Sequence, residues 1–196
     1  GMSMVYGATG SLQFDAIYAA SGTTPSPMLF KLGVVFVVAG VAFKFGAAPF
    51  HMWLPDVYQG APTAVTAYIA SAPKMAAFAM AYRLLESAAG NSMADWVPLI
   101  AILSALSLVL GNLMALVQSS FKRLLAYSTI SHVGFLFLGL LSADASGYAA
   151  AMFYAISYAI TAVAAFGSLI LLSHAGYDAD DIDGFRGLWV RHPGYA

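Results

Sequence analysis

The chain has 196 residues, of which 61% are hydrophobic and only 9% charged, with a net charge of −1 and no cysteine. Soluble domains carry roughly 25% charged residues, so a water-soluble globular domain is excluded. So are a nucleic-acid binder, which needs a basic surplus, a disordered tail, which is poor in apolar residues, and any disulfide or thiolate site.

What remains is a polytopic membrane protein, and its spans are read from apolar runs of roughly 20 residues. Met2 to Tyr6 reads as the end of a preceding span, and residues 8–28 as a Gly/Ser/Thr/Pro-rich loop. No signal-peptide pattern opens the chain. It is expected to be an internal piece of a longer polypeptide, with a complete small membrane protein as the alternative. The first full span covers about 29–58 and holds Lys44. It would be about 45 Å long as one helix, longer than the hydrocarbon core, so a helix broken near Pro49 is expected there. The second span, about 62–85, holds Lys74 one residue after Pro73. The third, about 97–117, is uncharged. The fourth, about 122–141, contains His132, and the fifth covers about 147–172. A polar tail, 173–196, follows, with Asp178, Asp180, Asp181 and Asp183, and leads toward a missing helix. Backbone in lipid must satisfy its own hydrogen bonds. These runs lack the alternation of a β-barrel, so the fold class is all-α with about five transmembrane helices.

Lys and Arg near the span ends set the orientation. Lys122, Arg123, Arg186 and Arg191 fall on one face, and Lys31 and Arg83 on the other. The first face is therefore expected on the cytoplasmic side, or its organellar equivalent.

The informative residues are those that cost free energy in lipid. A lysine at a helix centre costs about 2.5–3.5 kcal/mol on insertion scales and usually serves function. Lys74 has Ala70, Ser71 and Ala77 at helical spacing, small residues that admit a second backbone. The competing reading is a lysine that only pins two helices. Pro49 crowds the carbonyl of Phe45, beside Lys44; Pro55 does the same to His51, and Pro73 to Ile69. Freed carbonyls at membrane depth must be met by protein or water, and broken helices of this kind build ion sites in transporters. His132, with Ser128 one turn before it, suits proton relay or is satisfied by a neighbouring hydroxyl. His51 shares the face of Lys44 only if the helix is continuous through Pro49. Tyr154, Tyr158 and Thr161 form a stripe that lines a water file or packs two helices, and packing is the slightly favoured reading.

The acidic run Asp178 to Gly184 lacks the spaced oxygens of a calcium loop. The histidines have no metal-ligand spacing, and no phosphate loop or nucleophile elbow is present. No cofactor or metal is expected in this chain. Burial disfavours the charged form of an amine, so buried lysines joined by water and a histidine pass protons in small energy steps. The spans contain no Asp or Glu in their interiors. The counter-charge is expected from outside this segment.

Phe43-Lys44-Phe45-Gly46-Ala47-Ala48-Pro49-Phe50-His51-Met52-Trp53-Leu54-Pro55-Asp56-Val57-Tyr58-Gln59-Gly60-Ala61-Pro62 resembles a signature of the antiporter-like membrane subunits of proton-pumping NADH–quinone oxidoreductase, respiratory complex I. Ala70-Ser71-Ala72-Pro73-Lys74 follows at the matching spacing. Lys122-Arg123-Leu124-Leu125-Ala126-Tyr127-Ser128-Thr129-Ile130-Ser131-His132-Val133-Gly134 resembles a second signature. Phe185-Arg186-Gly187-Leu188 resembles the start of the link to the family's next helix. The resemblance covers essentially the whole chain, and Tyr58 to Pro62 with Lys74 is more similar to the N branch than to L or M.

The resemblance implies a segment of a larger inverted-repeat fold, without the family's glutamate helix and its second broken helix. It implies proton-relay roles for Lys44 and Lys74, with His51 and His132 in weaker ones. It also implies that NADH and quinone bind elsewhere in the complex and that other membrane subunits, the bilayer, water and protons are the partners. The implied location is a bacterial inner membrane, with the mitochondrial inner membrane as the alternative. A cation/proton antiporter subunit and a purely structural membrane subunit are the competing functions.

Overall fold

The computed structural model of the chain describes residues 1–174, 180–191 and 193–194. Helices α1 (Met2–Thr9) and α2 (Phe14–Ser21) precede α3 (Pro27–Phe45), which opens on a proline at its first position, where the missing N–H would be unpaired anyway. Seven residues of turns lead to α4 (Trp53–Gly60). Helices α5 (Thr63–Ala70) and α6 (Ala72–Tyr82) are separated by Ser71 alone, and a π-helical turn, Arg83–Ala88, extends α6. Three long helices follow: α7 (Met93–Ala115), α8 (Phe121–Leu141) and α9 (Ala145–His174). A short 3₁₀ turn, Ile182–Phe185, and α10 (Leu188–Arg191) complete the described chain.

Among the described residues, four helical stretches are long and apolar enough to cross a membrane: Pro27–Phe45, Gly90–Ala115, Phe121–Leu141 and Ala145–Ser173. The region 62–85, read above as a single span, is interrupted at Ser71, so no continuous helix of spanning length forms there. Its backbone turns at φ −108° and ψ −90°, which no helix accommodates. Large apolar side chains such as Leu113, Phe153 and Ile160 point outward, as they do on a surface solvated by lipid.

α7 and α8 make the closest pair. A Cβ on Gly111 would stand 2.6 Å from the Ser131 nitrogen, so only glycine lets these backbones meet. Polar bonds fasten the contact: Ser104 Oγ donates to the Gly134 carbonyl at 2.8 Å, and Asn112 Nδ2 to Ser131 Oγ at 2.9 Å. Small residues and interhelical hydrogen bonds hold helices together where lipid removes the hydrophobic drive.

Polar contacts mark both ends of the bundle. At one end Lys31 pairs with Asp95 at 3.0 Å, and nearby Tyr148 donates to Glu86 at 2.8 Å. At the other, Arg123 donates to Asp56 at 2.8 Å and to Gln59 at 3.0 Å, which ties α4 to the start of α8. The tail joins this second end. Phe121 N donates to the Asp180 carbonyl and Ile182 N to that of Ser119, and Phe185 stacks on Phe121. Asp178 lies outside the described residues.

Candidate functional site

Why does α3 stop at Phe45? Gly46 follows in the left-handed conformation, φ +75°, which only glycine adopts without penalty. A Cβ there would also lie 2.3 Å from Leu54 Cδ1. The break therefore begins three residues before Pro49, and proline is not its sole cause. It spans Gly46 to Met52, and Ala47 and Ala48 within it are fully buried.

A buried, non-helical backbone must find partners. Ala47 N donates back to the Ala42 carbonyl and Gly46 N to that of Phe43. Ala48 N donates to Ser107 Oγ of α7 at 2.9 Å. The indole Nε1 of Trp53 reaches back across the break to the Phe43 carbonyl at 3.0 Å. The Phe45 carbonyl, at the very end of α3, accepts from Lys74 Nζ. That lysine is buried, 5% exposed. A helix C-terminus carries partial negative charge and favours a cation, so the broken end of α3 supplies the polar environment that a lysine in lipid needs.

The four residues singled out in the sequence occupy different surroundings. Lys74 and His132 share a small buried cavity, roomy enough for about one water, lined also by Phe45, Tyr154 and Tyr158. Lys44 is exposed, on a groove formed with Gly40, Val41, Met80 and Leu84. His51 is half-buried within the break. Its Nδ1 is buried and has no hydrogen-bond partner. Because the helix is interrupted between them, His51 and Lys44 share no continuous helix face. His132 is satisfied by Tyr154 of α9, Nδ1 to hydroxyl at 2.6 Å, rather than by Ser128 of its own helix.

Some participants are not visible from sequence. Ser107 and the Phe45 carbonyl belong to this group because their partners lie 59 and 29 residues away. Tyr158 and Thr129 meet hydroxyl to hydroxyl at 2.6 Å, so two members of the tyrosine stripe bond to polar groups of α8. Thr161 instead donates to Ser157 of its own helix. Tyr58, fully buried on α4, turns its ring edge-on to Phe166, and its buried hydroxyl makes no hydrogen bond.

Helix rise gives the depth of these groups. Along α8, Arg123 to Thr129 is about 9 Å and Arg123 to His132 about 14 Å. Along α7, Asp95 to Ser107 is about 18 Å. The cavity thus lies well inside the bundle, somewhat nearer the Arg123 end.

Fold and site together define an integral, all-helical membrane protein of the broken-helix type found in secondary transporters. The chain belongs to the NADH:quinone oxidoreductase/Mrp antiporter transmembrane family, whose model matches residues 1–196. NADH-quinone oxidoreductase subunit N of Xanthomonas euvesicatoria pv. vesicatoria (strain 85-10) is 57% identical over 193 residues, 98% of this chain and 40% of that relative. A chain in the structure of respiratory complex I from Thermus thermophilus with bound Aureothin is 38% identical. It has a TM-score of 0.77, covering 99% of this chain and 40% of that one. A chain of the Mrp complex from Dietzia sp. DQ12-45-1b shares the fold, with a TM-score of 0.78 at 23% identity over 91% of this chain and 32% of that one. The chain therefore spans about 40% of the length of the curated relatives it matches.

Proposed function

We propose that this chain is a segment of a proton-translocating membrane-arm subunit of an NADH–quinone oxidoreductase. It would work in a bacterial inner membrane beside the other membrane subunits. Protons pass here through Lys74, with His132 across the cavity, Lys44 on the exposed groove and His51 in the break, while NADH and quinone react in other subunits. The chain itself carries no cofactor. The carrying observation is the buried Lys74 amine held by the open end of α3 in a cavity it shares with His132. A cation/proton antiporter would use the same parts. The identity to subunit N over nearly the whole chain favours the oxidoreductase.

The test is Lys74→Ala in the full-length subunit. The complex should assemble at its normal level, while proton pumping and coupled quinone reduction fall together by about tenfold or more, as for loss of a proton-transfer group. Lys74→Arg should impair comparably, because arginine stays protonated. Normal pumping in Lys74→Ala membranes, with the complex at wild-type level, would refute the relay role.

A further inference from the structure

We propose that Tyr58, Thr129 and Tyr158 form a hydroxyl relay joining the cavity of Lys74 and His132 to the face that carries Asp56 and Arg123. The proposal rests on the proton-translocation reading above and extends it to residues that carry no charge. Three helices contribute one hydroxyl each: Tyr58 from α4, Thr129 from α8 and Tyr158 from α9. Tyr58 and Thr129 are fully buried, among apolar neighbours such as Leu54, Ile130 and Phe166. A buried hydroxyl without a partner costs free energy, and packing alone would have favoured phenylalanine and valine in this shell.

The hydrogen bonds are those of a wire. Thr129 Oγ1 lies 2.8 Å from the Leu125 carbonyl and 2.6 Å from the Tyr158 hydroxyl. Its single hydrogen can serve only one of them. When it points to Leu125, Tyr158 donates to Thr129; when it swings to Tyr158, Tyr158 is free to donate into the cavity that its own side chain lines. Tyr58 belongs to the buried cluster against which Tyr158 packs, and its own hydroxyl is buried without a partner. Tyr58 is two residues from Asp56 and one from Gln59, the two groups that hold Arg123. The Thr129–Tyr158 contact is about 9 Å inside Arg123 and about 5 Å short of His132. The Thr129–Tyr158 pair thus stands in the interval between that face and the cavity, and Tyr58 is the hydroxyl whose chain neighbours hold the face.

The transfer balances at every step. A proton arriving from the Arg123 face bonds to the Tyr58 oxygen as the Tyr58 proton passes to Thr129 Oγ1. Thr129 gives its own proton to Tyr158, and Tyr158 releases its proton to the Lys74 amine or to a water in the cavity. Each O–H bond broken is replaced by one formed. The three hydroxyls then rotate back before the next proton enters.

The experiment uses the whole complex in sealed membrane vesicles, with Tyr58→Phe, Thr129→Val, Thr129→Ser and Tyr158→Phe in the full-length subunit and Lys74→Ala alongside. Tyr→Phe and Thr→Val keep shape and remove only the hydroxyl. The expected result is normal assembly with pumping reduced about tenfold or more in Tyr58→Phe, Thr129→Val and Tyr158→Phe. Thr129→Ser should restore pumping to near the wild-type rate. Wild-type pumping in all three hydroxyl-free variants, with Lys74→Ala still blocked, would overturn the relay and leave the lysine reading standing. Wild-type pumping in Lys74→Ala as well would remove both. An assembly defect common to Thr129→Val and Thr129→Ser, or a pumping defect that serine does not relieve, would make Thr129 a packing residue and overturn the relay.

Discussion

Two interruptions, between α3 and α4 and between α5 and α6, are built differently. Between α3 and α4 seven residues leave helical geometry, and their polar groups are met from elsewhere: Ser107 on α7, the Trp53 indole, and Lys74 on α6. Between α5 and α6 one residue leaves it, and the repair is local. Ser71 Oγ donates to the Ala67 carbonyl at 2.7 Å, and Ser71 N to that of Tyr68. A wide break gathers partners from across the bundle and so creates a polar site. A narrow one only aims a side chain, and here it aims Lys74 from the first turn of α6 into the wide break. A lysine near a helix N-terminus is electrostatically misplaced; the α3 C-terminus that receives it offsets the mismatch. Neither interruption makes the site alone.

Substitutions sharpen this contrast. The largest effect is expected from Gly46→Val, which adds a branched side chain at a positive φ and against Leu54. Overpacking alone costs about 1–3 kcal/mol and backbone strain adds a similar amount. The subunit should fail to assemble, read as loss of the intact complex on a native gel. Assembly at wild-type level would mean the wide break tolerates helical repacking.

Ser107→Ala leaves the buried Ala48 N–H without an acceptor, for about 1–3 kcal/mol. A lower melting temperature of the solubilised complex is expected, and Ser107→Thr, which keeps the hydroxyl, should recover part of it. The Arg123–Asp56 clasp is weaker because Asp56 is 77% exposed. A double-mutant cycle of Arg123→Ala and Asp56→Asn should give a coupling of about 0.2–1 kcal/mol that shrinks in high salt. A coupling that salt leaves unchanged would contradict that picture. The smallest effect belongs to the narrow break. Ser71→Ala removes hydrogen bonds that serine makes back to its own helix, which contribute little, so stability should change by no more than about 0.5 kcal/mol. A loss as large as that of Ser107→Ala would erase the distinction between the two interruptions.

The membrane class and the helical fold were legible because charge is scarce and apolar runs are long. Lys74 and His132 stood out because such residues are costly in lipid, and Pro49 marked the neighbourhood of the wide break. What could not be read is pairing at a distance. Ser107 is one serine among many in an apolar helix, and nothing local tells that Ala48 will need it. The left-handed turn at Gly46 is hidden by the nearby prolines, which explain a break well enough without it. Pro73 marked a loosened turn beside Lys74, but the residue types do not tell a kink within one helix from the full interruption at Ser71. For Tyr154 and Tyr158 the spacing put both on one face, but packing and hydrogen bonding leave the same stripe. Only the positions of His132 and Thr129 on α8 distinguish them.

The depth of the lysine cavity has an electrical consequence. If the Arg123–Asp56 clasp and the Lys31–Asp95 pair mark the two faces, the cavity lies about 14 Å from the first and the break about 18 Å from the level of the second. A unit charge crossing a whole membrane exchanges about 2.3 kcal/mol with each 100 mV of potential. A charge that stops at Lys74 has crossed a little under half of the field, so its occupancy is worth about 1 kcal/mol per 100 mV. On the relay role proposed for Lys74, charging a membrane to 150 mV would therefore change the loading of that single site by roughly tenfold, so the site would sense the membrane voltage as well.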